Sequence, residues 1–185
     1  PGDLKREVER VIKDANDAGV PVRAVVVSDS DSRWPGEIGA KAAEIEKTCL
    51  DGKVPCMILS CRSAENYLPD DTFQQWANEP DNVNAAPQVE ALLRLTPEQR
   101  DHFPMKGKKA TGKGIPAVEK SDAPSRQREL FAAVPPEDRK VLVGFHDHII
   151  SLFRRHLAAP SIAALDTRDR RGDLRRLVSI VETEL

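Results

Sequence analysis

The chain is poor in the features that mark specialised classes. Its three cysteines, Cys49, Cys56 and Cys61, have no metal-ligand spacing. Their odd number fits reduced thiols of a cytoplasmic protein better than a disulfide framework. No charge of one sign prevails: 28 Lys and Arg stand against 30 Asp and Glu, a net charge of −2. There is therefore no global basic field, and any contact with nucleic acid has to come from a local patch. No apolar run approaches the roughly 20 residues of a membrane span. The 185 residues, 39% hydrophobic and 31% charged, suffice for a packed core under a well-solvated surface. One domain, or a domain with a helical appendage, accounts for that length.

Residues 22–31, VRAVVVSDSD, are the most informative stretch. Val22 and the run Ala24 to Val27 predict a strand over 22–28, buried on both faces. It ends in Asp29 and Asp31. In extended geometry, side chains two apart leave the same side of a strand. Two like charges so close raise each other's pKa unless a cation neutralises them. At the carboxyl end of a parallel strand, where α/β proteins place ligands, Mg²⁺ or Mn²⁺ held by oxygen ligands answers that need. A polar strand-to-loop turn accounts for the same residues, since Asp and Ser favour turns.

Asp3 is placed to cap a first helix whose Leu4, Val8, Val11, Ile12 and Ala15 fall at helical spacing, ending near Gly19. A second helix from Glu37 to Leu50 presents Ile38, Ala42, Ile45 and Cys49 and stops at Asp51-Gly52. A second buried strand follows, from Val54 to Leu59. The order helix–strand–helix–strand predicts a right-handed parallel crossover. Beyond residue 62 short helices are expected over 71–78, 86–94, 97–102, 125–133, 136–157 with a break near Gly144, and 170–183. The Lys-, Gly- and Pro-rich stretch 104–124 reads as a long loop. Two parallel strands do not make a stable sheet alone, and the first helix has no strand before it. The pattern therefore predicts a sheet lacking its first strand, which would belong to a segment before Pro1 or to a partner chain.

A strand ending in Asp29-Ser30-Asp31, a helix, and a strand leading into Arg62-Ser63-Ala64-Glu65-Asn66-Tyr67-Leu68 together resemble the TOPRIM domain. More narrowly, they are similar to the nuclease domain of OLD-family and related bacterial anti-phage effectors. Phe103-Pro104-Met105-Lys106-Gly107-Lys108 resembles that family's lysine-bearing segment. The resemblance spans residues 1–110 and implies a TOPRIM-like, Rossmann-like parallel α/β core there, with 111–185 as a mostly helical extension. It implies phosphodiester hydrolysis with Mg²⁺ or Mn²⁺. By position, Asp29 and Asp31 would bind the metal and Glu65 would bind or orient a second ion. Lys106, or Lys108 in its place, would neutralise charge on the scissile phosphate. A TOPRIM site also uses a glutamate at the end of its first strand. Here that strand would precede Pro1, with Pro1-Gly2-Asp3 as the remnant of the turn after it. The implied partners are nucleic acid, DNA ahead of RNA, and an ATPase domain or companion chain, without a membrane; the resemblance leaves the oligomeric state open. The chemistry stands apart from the family name. Hydrolysing a phosphodiester needs a Lewis acid on the phosphoryl oxygen, an activated water, and positive charge where negative charge builds up.

Other motifs have plainer readings. Gly107 to Lys113 matches most of a phosphate-binding P-loop, but Gly114 stands where Ser or Thr should reach Mg²⁺, and Pro116 interrupts the helix that should follow. Its lysines form a local basic cluster suited to a nucleic-acid backbone or to solvent. His146 and His148 diverge by about 200° on a helix, so they read as surface histidines. Arg168, Arg170, Arg171, Arg175 and Arg176, interleaved with Asp166, Asp169 and Asp173, read as a salt-bridged helix face. Glu65 could also be a helix cap, with Tyr67 and Leu68 as packing residues. Two other functions fit the same residues: a non-catalytic TOPRIM-like binding or assembly module, and a primase- or topoisomerase-type TOPRIM. The Glu65–Leu68 segment and the helical tail argue against the latter.

Overall fold

Leu4, Val8 and Ile12 recur at four-residue intervals, and α1 (Leu4–Ala18) winds them onto one side, with Val8 buried. Gly19 ends it at φ 67°, where an L side chain would be strained, and Val20 N–H closes onto Ala15 O at 3.0 Å. Asp3 holds the N-cap position but makes no capping bond. Its carboxylate lies 3.7 Å from Arg6 instead. In this computed structural model, residues 3–106, 124–145, 148–158 and 162–184 are described.

The chain is mixed α/β. Strand β1 (Val26–Ser28) and strand β2 (Cys56–Ile58), joined through α2 (Ala40–Asp51), pair in parallel with Val26 opposite Cys56 and Ser28 opposite Ile58. Both strands are shorter than the predicted 22–28 and 54–59, for identifiable reasons. Val26 N–H bonds to Pro55 O at 2.9 Å. The next rung back would need an N–H from Pro55, which has none. At the other end Cys61 N–H is taken by the Tyr67 hydroxyl at 3.2 Å and Ser30 O by Gly39 N–H at 2.7 Å.

Helices α1 and α2 cover one face of the sheet, packing Val8, Ile45 and Cys49 against Val26 and Val54. The other face buries Met57, Leu59 and Tyr67 beneath Leu174, Leu177 and Ile180 of the last helix. That cover reaches β2 but leaves Val27 of β1 36% exposed, so the expected burial of β1 on both faces is corrected to one. Ile38 is likewise 47% exposed. Helix α2 starts at Ala40 rather than Glu37, because the Glu37 carboxylate turns back to the Arg33 guanidinium and backbone N–H.

The remaining described helices are α3 (Asp70–Ala77), α4 (Ala86–Leu93), α5 (Pro97–His102), α6 (Ser125–Phe131), α7 (Pro136–Val141), α8 (Ile149–Ala158), α9 (Ile162–Arg168) and α10 (Asp173–Glu184). Single 3₁₀ segments lie at Ala64–Tyr67 and Pro80–Ala85. The break expected near Gly144 is present. Leu142 leaves helical geometry, and Phe145 N–H bonds to Met105 O at 2.7 Å. That bond sets Phe145 against Phe73 and Trp76, with ring centroids 5.3 and 6.1 Å away. These rings join Leu92, Phe103, Phe131, Leu142 and Leu152 in the largest core, which draws on residues either side of 110. Each such side chain contributes about 1.5–3 kcal/mol by leaving water. Among the described residues no helix is long and apolar enough to cross a membrane.

Candidate functional site

Strand β1 delivers Asp29 to its carboxyl end, and β2 leads into the 3₁₀ segment that carries Glu65. Asp29 Oδ1 accepts the backbone N–H of Ala64 at 2.9 Å, so the aspartate itself holds that segment in place. Its Oδ2 lies 2.5 Å from Lys106 Nζ, and the same ammonium stands 3.4 Å from Glu65 Oε2. The structure thus brings together three of the residues singled out from the sequence.

Glu65 is 6% exposed, and its Oε2 is enclosed without a well-directed hydrogen bond among the described residues. Lys106 is the cation beside it. Burial works to lower the Lys106 pKa, but the hydrogen bond to Asp29 and the charge of Glu65 outweigh it and hold the ammonium above its ordinary range.

Asn66, buried next to Glu65, is a positioning residue that the sequence reading passed over. Its side-chain N–H groups donate to Arg100 O at 2.8 Å and Phe103 O at 3.0 Å, and its Oδ1 accepts from Ser63 N–H and Oγ. One amide therefore locks the Glu65 segment to the stretch that leads from Arg100 to Lys106. A lone Asn after Glu has no periodicity to betray this role.

Asp31 stands apart. The backbone turns left-handed there, at φ 52°, and Asp31 N–H donates to Arg62 O at 2.9 Å. The same-side geometry expected of strand residues two apart therefore does not hold from Asp29 to Asp31. Ser30 and Ser32 point inward instead: Ser30 Oγ donates to Cys61 O at 2.7 Å, and Ser32 Oγ lies 2.9 Å from His102 Nδ1. Lys108, the remaining candidate, lies outside the described residues, as do the P-loop-like stretch 107–113 and the His146-Asp147 pair.

Among the described residues no three acidic, His or Cys side chains gather around a single point. Asp29 and Glu65 are nevertheless hard oxygen donors. Mg²⁺ is commonly held by one or two carboxylates while keeping several waters. Glu65 Oε2 is enclosed and accepts no well-directed hydrogen bond among the described residues, with the Lys106 ammonium 3.4 Å away as its cation. An oxygen so placed suits an ion that shares it, so these residues fit the implied metal as a two-carboxylate site. Beside it opens a cleft of about 910 Å³, walled by the first turns of α1 and α2 and including Asp29, Asp31, Lys5, Arg6 and Lys41. Lys5 is paired with Glu44 at 3.6 Å and Arg6 with Asp3 at 3.7 Å. Lys41 has no ion-pair partner among the described residues.

Burial raises the pKa of all three cysteine thiols. Burial pushes the Cys56 and Cys61 thiols up to about 12, far above the range of a reactive thiolate. Comparison with family models, with curated proteins and with solved structures gave no match to this chain.

Proposed function

We propose that this chain is the nuclease core of a TOPRIM-type enzyme, hydrolysing phosphodiester bonds of DNA ahead of RNA with Mg²⁺ or Mn²⁺. The setting we propose is a bacterial anti-phage effector that works with an ATPase domain or companion chain. The observation that carries this reading is the meeting of Asp29 and Glu65 on Lys106 at the carboxyl ends of two parallel strands. That is where open α/β sheets bind their ligands.

Asp29 and Glu65 would hold the ion. When bound, it supplies a Lewis acid for the phosphoryl oxygen and an acidified water. Lys106 remains an ammonium at neutral pH. Once its carboxylates are shared with an ion, it is placed to neutralise charge building on the phosphate. Lys41, in the adjoining cleft, offers a cation without an ion-pair partner among the described residues to the nucleic-acid backbone. Asp31, at the cleft wall, would orient water or a second ion.

A second reading is favoured by one feature: Lys106 already pairs with both acids internally, as a structural ion cluster in a non-catalytic module of the same fold would.

Supercoiled plasmid incubated with the full-length protein and Mn²⁺ separates the two. The nuclease reading expects nicking that a chelator stops, that Asp29→Ala abolishes, and that Lys106→Met reduces at least a hundredfold, about 2.7 kcal/mol of transition-state stabilisation. Unchanged cleavage by Asp29→Ala removes the assignment. Absence of cleavage by the wild type, with no shift of its melting temperature on adding Mn²⁺, favours the non-catalytic module.

A further inference from the structure

A second cavity, of about 580 Å³, opens between α3, α4, α5 and α9, and none of Asp29, Glu65 and Lys106 lines it. Leu92, Leu95 and Pro97 form an apolar wall, and Arg100, Arg168 and Arg170 supply a cationic one. Its size is that of a small-molecule site.

The arginines are unusual in how little they are satisfied. Arg100 is 4% exposed, with its guanidinium stacked 4.6 Å from the Phe73 ring. Its polar contacts are a 3.4 Å approach to Asp70 and a long 3.5 Å bond to Leu68 O. Its Nε and Nη1 are enclosed and find no acceptor among the described residues. Arg168, 9% exposed, bonds through Nη1 to Asp101 at 2.8 Å, while its Nε and Nη2 have none. Asp101 also receives Arg170 at 3.0 Å and Arg171 at 3.8 Å, so one carboxylate serves three guanidinium groups. Buried polar groups are normally paired, yet here four donor nitrogens on two nine-tenths-buried side chains find no acceptor among the described residues. Burial pulls the Arg100 pKa down to about 9, with Asp70 opposing and Arg168 adding to the fall. An anion at this wall would relieve that.

We propose that this cavity binds a small organic anion, its phosphate or carboxylate held by Arg100, Arg168 and Arg170 and its apolar body laid on Leu92, Leu95 and Pro97. The planar guanidinium fork matches either oxyanion. Asp71, whose Oδ1 also lines up without a partner among the described residues, offers an acceptor for a hydroxyl or amino group on the same ligand.

Isothermal titration calorimetry on the full-length protein tests this with phenyl phosphate, benzoate and inorganic phosphate, in chelator so that metal chemistry plays no part. Saturable one-to-one binding of phenyl phosphate or benzoate is expected, about tenfold tighter than inorganic phosphate. Which of the two binds tells the ester from the carboxylate. Arg100→Met should abolish binding. Arg170→Gln, at a half-exposed position where Arg168 and Arg171 still face Asp101, should weaken it about tenfold. The proposal is overturned if neither aromatic anion binds, if inorganic phosphate binds as tightly as both, or if Arg170→Gln binds as the wild type does.

Discussion

The phenol of Tyr67 donates to the carboxylate of Asp173, tying the turn that presents Glu65 to the helix that roofs β2. The same carboxylate accepts Ser60 N–H at 2.6 Å and Ser60 Oγ at 2.9 Å. Burial, and then the bond to Asp173, push the Tyr67 pKa upward, so the phenol stays a donor. Helix α10 is thus seated by a polar pin as well as by Leu174, Leu177 and Ile180. Asp173→Ala leaves buried donors unpaired, and each costs on the order of 1–3 kcal/mol. A loss of at least about 2 kcal/mol is expected in urea unfolding, with faster proteolysis inside α10. Tyr67→Phe should cost about 1 kcal/mol. A stable Asp173→Ala variant with a protected α10 would show that the apolar contacts suffice.

The Lys106 cluster invites a double-mutant cycle. Lys106 is half-exposed, so its pair with Asp29 alone is worth under about 1 kcal/mol. Glu65, by contrast, is buried, and Lys106→Met leaves its charge without the cation. A loss of about 1–3 kcal/mol is expected for Lys106→Met. Adding Glu65→Gln should recover part of it, with a coupling of at least about 0.5 kcal/mol. Strictly additive losses would mean that Glu65 and Lys106 do not sense each other.

Gly39 opens α2 against the loop that carries Asp31. A methyl group there would lie 2.8 Å from Asp31 Cβ and 2.9 Å from Ser30 O, which already accepts Gly39 N–H. Since one neighbour is backbone, Gly39→Ala has to move the helix or the loop, at about 1–3 kcal/mol. Gly52→Ala meets Cδ1 and Cγ1 of the Ile12 side chain, which can turn away, and its nearest backbone neighbour, Thr48 O, is 3.3 Å off, so it should cost less. Equal denaturation midpoints for the two variants would contradict this close approach.

His102 sets a pH dependence. It is 1% exposed, and burial lowers its pKa below 6.5, with Asp101 opposing that shift and Arg171 reinforcing it. The unfolded chain therefore takes up a proton at a pH where the folded chain does not. Stability contributed by the neutral ring is present above about pH 6.5 and falls as the pH drops toward the folded value, by at most about 1.4 kcal/mol per unit. Urea midpoints measured between about pH 7 and about pH 5 should fall more steeply for the wild type than for His102→Gln. Parallel curves would remove His102 as the source.

Much of the fold was legible in the order of residues. The β-branched run before Asp29, the run before Ser60, and the Leu4–Val8–Ile12 spacing each report burial of their own side chains. Such patterns suffice to call a parallel β–α–β unit with helices after it, and chemistry-bearing types marked Asp29, Glu65 and Lys106. Three-dimensional packing decided what those residues meet. Pro55 and Tyr67 cut the ladder short because a rung needs both an N–H and a C=O, which no run of valines reveals. Asp31 left the pair because its backbone turned left-handed to reach Arg62. Arg168 and Asp173 read as parts of one salt-bridged helix face, yet each is buried and reaches a distant element, Asp101 and Ser60. Sequence periodicity records whether a side chain faces inward. The partner of a buried charge is set only when distant elements come to rest against each other.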